Sequence, residues 1–366
     1  MDTHHTYTQQ SSQSPMLTDY SSYVPGTAFL DDKKVRSNNL KAVKKTVTLT
    51  ALSFLAVLAL TNIFQIVAMF IVNAVRPELN SDYAFSILLA SFSMYVVGMG
   101  GGYLILRLLK RQPLPQKKLK LAHWLIILVM CFGLMYTGSI IGNGITLFLN
   151  RFFEDMSQNP VQDLISELPL WAIVVSTVIA APIFEELFFR KLLLDRLRVC
   201  GAVPALIISS VAFGLFHGNF SQLFYATMVG FAFGFIYLKT GRIRYTIALH
   251  MTVNFCGSVI PMKLLEFVSP VLEGLEGATE NIDPALLTGD NLVRLAVYFA
   301  YALAIMTVWI TGVVLILIHI KKYRLKNNAL PLPGGKSSLA VTIVNPAMIV
   351  SLIIFALMIV SSIIPI

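Results

Sequence analysis

The sequence predicts an all-α fold: a polytopic membrane bundle of eight or nine transmembrane helices with a disordered N-terminal tail. Three observations carry that expectation. Apolar residues make up 56% of the 366 residues and charged ones only 13%, with a mean hydropathy of +0.73, a balance unlike that of a soluble domain around one core. Apolar runs of about 20 residues, enough to cross a ~30 Å hydrocarbon layer as helix, recur along most of the chain. The charges also sort by loop. With the N-terminus inside and alternating spans, all of the 28 Lys and Arg except Arg76, Arg151, Lys263 and Arg294 fall on the cytoplasmic side, which is the usual orientation signal.

In chain order, residues 1–39 are polar, rich in Ser, Thr, Gln and Tyr, without apolar periodicity, and read as a disordered cytoplasmic tail. His4 and His5 belong to it as solvated polar sequence. Lys33, Lys34, Arg36, Lys41, Lys44 and Lys45 hold the entry of the first span inside. Spans at 46–75, 83–106 and 122–149, with their loops, form an N-terminal unit over 40–169. Within it, 107–120 is a basic loop extended by Pro113 and Pro115, and 151–169 is an acidic outer loop. Pro169 and Trp171 mark the start of the fourth span. Spans at 170–190, 203–217, 220–238 and 245–262 form a core unit over 170–262. An acidic outer loop and spans at 294–320 and 340–364 complete the chain over 263–366.

Four-residue glycine spacings, Gly98/Gly102, Gly138/Gly142, Gly214/Gly218 and Gly230/Gly234, predict close helix crossings within one bundle. The net charge of +9 acts as a topology determinant with attraction for anionic lipid heads, so no nucleic-acid partner is expected. Cys131, Cys200 and Cys256 are unpaired in spacing, and no disulfide is expected. The expected location is a bacterial cell membrane.

The chain's chemistry concentrates at the end of the fourth span. Of the 19 acidic residues, only Glu185 and Glu186 fall within an apolar span on this threading. Ionisable groups there are costly unless they face a partner or a water-filled cavity, and they mark functional sites. On a helix, Glu186 and Arg190 share a face at i, i+4, in the order that favours an ion pair. Glu185 then points about 100° away, free to face a cavity. His217, with Phe213 four residues before it, ends the next run, and His250 and Asn254 share a face of the seventh span. Of six histidines only these two fall inside spans. A transporter's proton relay would string such groups along a path through several spans, whereas here they are concentrated.

Glu185-Glu186-x-x-x-Arg190, Phe213-x-x-x-His217 and His250-x-x-x-Asn254 together resemble the three ordered motifs of the CAAX protease and bacteriocin-processing (Abi) family of intramembrane endopeptidases. The resemblance covers about 170–260. It implies hydrolysis of a peptide bond, with Glu185 and His217 activating a water, His250 and Asn254 donating hydrogen bonds to the oxyanion, and Glu186 and Arg190 shaping and charging the site. The implied partner is a peptide or membrane-associated protein in the bilayer. Some members of the family remove the tail of prenylated proteins, and others mature or neutralise secreted peptides. The alternative is a non-cleaving peptide-binding or bacteriocin-immunity membrane protein.

Two histidines beside carboxylates raise the question of zinc, with His217 and His250 as its ligands. The chain lacks a His-Glu-x-x-His helix, and an Asn, a rare zinc ligand, follows His250 at i+4, so a metal-free hydrolase is favoured. The threading also sets a geometric condition. His217 lies deep in its span from the cytoplasmic end and Glu185 shallow in its own, so their convergence predicts a deep-starting, tilted or broken fifth helix.

Overall fold

The structure, a computed structural model, describes residues 28–149, 151, 168–276, 288–321, 325 and 329–362. Among these every regular element is helical. Seven helices are long and apolar enough to cross a membrane: α1 (Ala28–Val75), α2 (Tyr83–Leu106), α3 (Leu121–Leu149), α4 (Leu170–Cys200), α6 (Phe220–Thr240), α7 (Ile243–Leu275) and α8 (Gly289–His319). Between α4 and α6 lies the shorter apolar α5 (Ala202–Leu215), and after α8 a short α9 (Ser338–Ile343) leads into the apolar α10 (Pro346–Ser361). The chain is an integral membrane protein built as a polytopic helical bundle.

Several boundaries differ from the sequence expectation: the seventh span, expected to end at 262, runs to Leu275, so the start of the expected outer loop is helical. The tail expected to run to residue 39 is helical from Ala28. Its polar residues sit in an exposed helical extension, where Asp32 and Arg36 form an i, i+4 pair at 2.9 Å. The last expected span is divided between α9 and α10, because Asn345 caps α10 by accepting from the Met348 N–H at 3.2 Å and Pro346 occupies its first turn. Residues 1–27, most of the loop expected at 151–169 and residues 277–287 lie outside the described residues.

A further difference places the site. The fourth helix does not stop near Arg190 but runs on to Cys200. Its charged extension is neutralised by its surroundings. Fully buried Asp195 meets Arg111 Nε at 2.8 Å and Lys191 Nζ at 3.5 Å, and accepts from the Tyr237 hydroxyl at 2.8 Å. Arg196 donates to the carbonyls of Leu106 and Leu192 at 2.7 and 2.9 Å. Asp195 is thus a third acid in this helix, fully buried like Glu186, placed at a span boundary by hydropathy and missed for that reason. Gly201, at φ 100°, then reverses the chain into α5. Glu185 and His217 stand equally far along the chain from this turn, and the fifth helix runs unbroken over Ala202–Leu215.

Other hydrogen bonds gather the basic segments at that end of the bundle. Gln112 N–H donates to the Asp195 carbonyl and Lys117 N–H to that of Thr240, both at 2.8 Å, and Ser338 Oγ donates to the Cys200 carbonyl. The core beneath them joins Val43, Val47 and Phe54 of α1 to Phe188, Phe189, Phe213, Phe216 and Phe355. Phe216 meets Phe54 edge-on at 5.4 Å and Phe355 at 4.8 Å. The glycine spacings serve contacts inside this one bundle. A Cβ on Gly138, for example, would collide with the backbone of Tyr225, so α3 and α6 cross there only because the residue is glycine.

Candidate active site

Pro182 shapes the helix that carries the two carboxylates. On either side of the α-helical turn Ala181–Glu185, α4 widens into π-helical stretches, Val174–Ala180 and Glu186–Leu194; such insertions are frequent at functional sites. In the first stretch the Ala181 N–H bonds back to the Ser176 carbonyl. Continuing that pattern would give the Thr177 carbonyl to residue 182, and proline has no N–H. Asn254 of α7 fills the vacancy, its Nδ2 donating to the Thr177 carbonyl at 2.8 Å. One amide proton of Asn254 therefore ties α7 to α4.

The carboxylates divide as the i, i+4 spacing predicts, with one addition. Glu186 and Arg190 are both fully buried and paired at 3.2 Å through Oε2 and Nε. Arg190 also donates to Ser209 Oγ at 2.9 Å, and its guanidinium lies 4.8 Å over the Phe213 ring. Ser209 in turn donates to the Phe189 carbonyl at 3.1 Å. The Glu185 side chain retains 13% exposure. The addition is His250, whose ring stands between the two acids: Nδ1 is 3.4 Å from Glu186 Oε1 and Nε2 is 3.9 Å from Glu185 Oε2. Glu185 is therefore not left alone with a cavity, as the helical wheel alone suggested.

His217 closes the group through shared aromatic walls. The Phe213 ring meets His217 edge-on at 5.1 Å and His250 at 5.6 Å. On its other side His217 faces Tyr225 at 6.5 Å. Its Nδ1 lies 2.8 Å from the Phe213 carbonyl. A carbonyl oxygen only accepts, so Nδ1 carries a proton, and in the neutral ring Nε2 is the acceptor. Asn219 Nδ2 donates to the His217 carbonyl at 3.0 Å and fixes the turn that presents the ring.

The structure thus brings Glu185, Glu186, Arg190 and His250 into direct contact. It sets His217 against them across Phe213, and places Asn254 one turn past His250 with its amide on the α4 backbone. Glu185 Oε2, Glu186 Oε1, Arg190 Nη2 and His250 Nδ1 are buried without a hydrogen-bond partner among the described groups. Glu186 Oε1 and His250 Nδ1 face each other at 3.4 Å, which leaves Glu185 Oε2 and Arg190 Nη2 for water or other polar groups. Among the described residues no group of three His, Cys, Asp or Glu could hold a metal ion.

Sequence reasoning missed Ser209, the Thr177 carbonyl and Tyr95 of α2, whose hydroxyl donates to Glu185 Oε1 at 3.2 Å. A polar residue inside an apolar run was the available signal for Ser209. Nothing in the sequence signalled the other two.

Residues 167–256 match the model of the family described as Type II CAAX prenyl endopeptidase Rce1-like. The chain is 37% identical over 102 residues to the "Putative membrane peptidase YdiL" of Bacillus subtilis (strain 168), covering 28% of this chain and 41% of that protein. It is 31% identical over 121 residues to the "Membrane-embedded CAAX protease MroQ" of Staphylococcus aureus (strain USA300), covering 31% of this chain and 45% of that protein. The matches span less than half the length of either relative. No solved structure matches the chain. The segment that is similar to the Type II CAAX prenyl endopeptidase Rce1-like family, 167–256, is the one that carries all three motifs.

Proposed function

We propose that the protein is an intramembrane endopeptidase that hydrolyses a peptide bond with a water activated at Glu185. The observation that carries this reading is the His250 imidazole held between two carboxylates, only one of which has its charge met by an arginine. Glu186 is committed to Arg190, so Glu185 is the acid available for proton transfer. Its Oε2 takes a proton from water, and the hydroxide attacks the carbonyl carbon of the scissile bond. His217 Nε2, an acceptor in the tautomer described above, assists in holding that water. The second amide proton of Asn254 and the His250 ring donate to the oxyanion as it forms. Collapse of the intermediate breaks the C–N bond, and the proton held at Glu185 passes to the leaving amine.

These steps use only the chain's own side chains, and activity is expected to survive exhaustive chelation. Purified protein incubated with membrane-associated peptides and read by mass spectrometry tests the reading, with elemental analysis of the same active sample. Stoichiometric zinc whose removal abolishes cleavage and whose return restores it would contradict the metal-free route. The substrate class follows from the setting: a peptide or membrane-associated protein reached within the bilayer. Comparing cell-surface and secreted peptides with and without the gene identifies it.

The basic end of the bundle is assigned to the cytoplasm by the positive-inside rule. Cysteine probes at Glu266 or Asp290 are then expected to react with an impermeant reagent from outside, and probes at Lys117 or Lys321 only from the cytoplasm. The opposite pattern would invert the bundle and the face from which substrate approaches.

A further inference from the structure

Helix α2 lies outside the matched segment and contributes nothing to the three motifs, yet it touches the residue on which the proposed chemistry depends. Tyr95 sits in a π-helical stretch of α2, Ser93–Gly98. Its hydroxyl donates to Glu185 Oε1 at 3.2 Å. Its ring lies parallel to that of Phe184, with centroids 5.6 Å apart and planes within 6°. One side chain of α2 therefore grips two successive residues of α4, the first by stacking and the second by a charge-assisted hydrogen bond.

The two oxygens of Glu185 are consequently not equivalent. Oε1 is occupied by the phenol, while Oε2 is buried without a hydrogen-bond partner and stands 3.9 Å from His250 Nε2. A carboxylate held on one oxygen cannot turn freely about its terminal bond, whose rotational preference is otherwise broad. We infer that Tyr95 is a positioning residue whose hydroxyl fixes the Glu185 carboxylate so that Oε2 is the atom presented to the attacking water. The inference rests on the reading of Glu185 as the general base, and it places a determinant of the reaction in a helix outside the motif-bearing segment.

Tyr95→Phe removes the hydroxyl and keeps the ring, so it separates positioning from packing. In that variant kcat is expected to fall about 10-fold to 100-fold, as for the loss of a hydrogen bond to a charged group, while KM stays within about twofold. Tyr95→Ala is expected to lose a similar factor in kcat and, with the stack gone, melting temperature as well. A purely structural role for the ring predicts wild-type kcat in Tyr95→Phe, and that result would overturn the inference. A second arm needs no catalysis: the melting temperature of Tyr95→Phe is compared in the wild-type and Glu185→Ala backgrounds. The substitution is expected to cost stability only where Glu185 is present, and equal costs in both backgrounds would overturn the contact. A wild-type protein that cleaves no peptide would defeat the peptidase reading, and the melting cycle would still decide the Tyr95–Glu185 contact.

Discussion

Glu185→Gln is expected to yield a folded, membrane-inserted protein whose peptide cleavage is lost, with kcat lowered by about 10²–10⁴-fold, the contribution typical of a positioned general base. The amide is nearly isosteric with the carboxylate and can still accept the Tyr95 hydroxyl that Glu185 Oε1 accepts at 3.2 Å. What it cannot do is take a proton from water and return it to an amine. Because Glu185 has no arginine partner, neutralising it breaks no ion pair with a cation of fixed charge, and melting in detergent should stay close to wild type. Single-turnover cleavage followed by mass spectrometry, together with a melting curve, checks both halves. Retained activity in a folded variant would remove Glu185 from the mechanism.

Arg190→Ala is expected to cost fold as well as function. Glu186 and Arg190 are both fully buried and meet at 3.2 Å, and Arg190 also holds Ser209 Oγ and covers the Phe213 ring. Removing one member of a buried pair leaves the other as an uncompensated charge, at a cost of about 3–5 kcal/mol. The melting temperature in detergent should drop markedly, and His250, which rests against Glu186 at 3.4 Å, should lose its orientation, so cleavage falls with stability. Glu186→Gln/Arg190→Met, which removes both charges, should recover part of the melting temperature without recovering activity. Wild-type melting of Arg190→Ala would contradict the pairing.

Much of this molecule was legible in its sequence because the bilayer imposes length and polarity rules that one chain reveals. Apolar run length located the helices, and the pairing of Glu186 with Arg190 followed from helical spacing alone. What the sequence concealed depends on how helices neighbour one another. Hydropathy ended the fourth span near Arg190, because it scores Lys191, Asp195, Arg196 and Arg198 without knowing that Arg111, Tyr237 and the Leu106 carbonyl would satisfy them. The condition on the fifth helix followed from that misplaced end. Polarity alone likewise could not separate the exposed helical start of α1 from disorder. The contact of Tyr95 with Glu185 depends on α2 lying against α4, a neighbourhood that apolar run length does not specify. The bond from Asn254 to Thr177 depends on a π-helical turn beside Pro182, a local geometry no residue pattern here announced.

The central claim is that a peptide bond is hydrolysed at Glu185, and the most direct measurement is mass spectrometry of a membrane-associated peptide incubated in ¹⁸O-water with purified protein in bilayers. Wild-type protein should give two fragments whose masses sum to that of the peptide plus one water, with solvent ¹⁸O in the new C-terminal carboxylate, and Glu185→Gln should give neither. A peptide that co-purifies intact with wild-type protein and is never cut, or one cut equally by Glu185→Gln, would contradict the account.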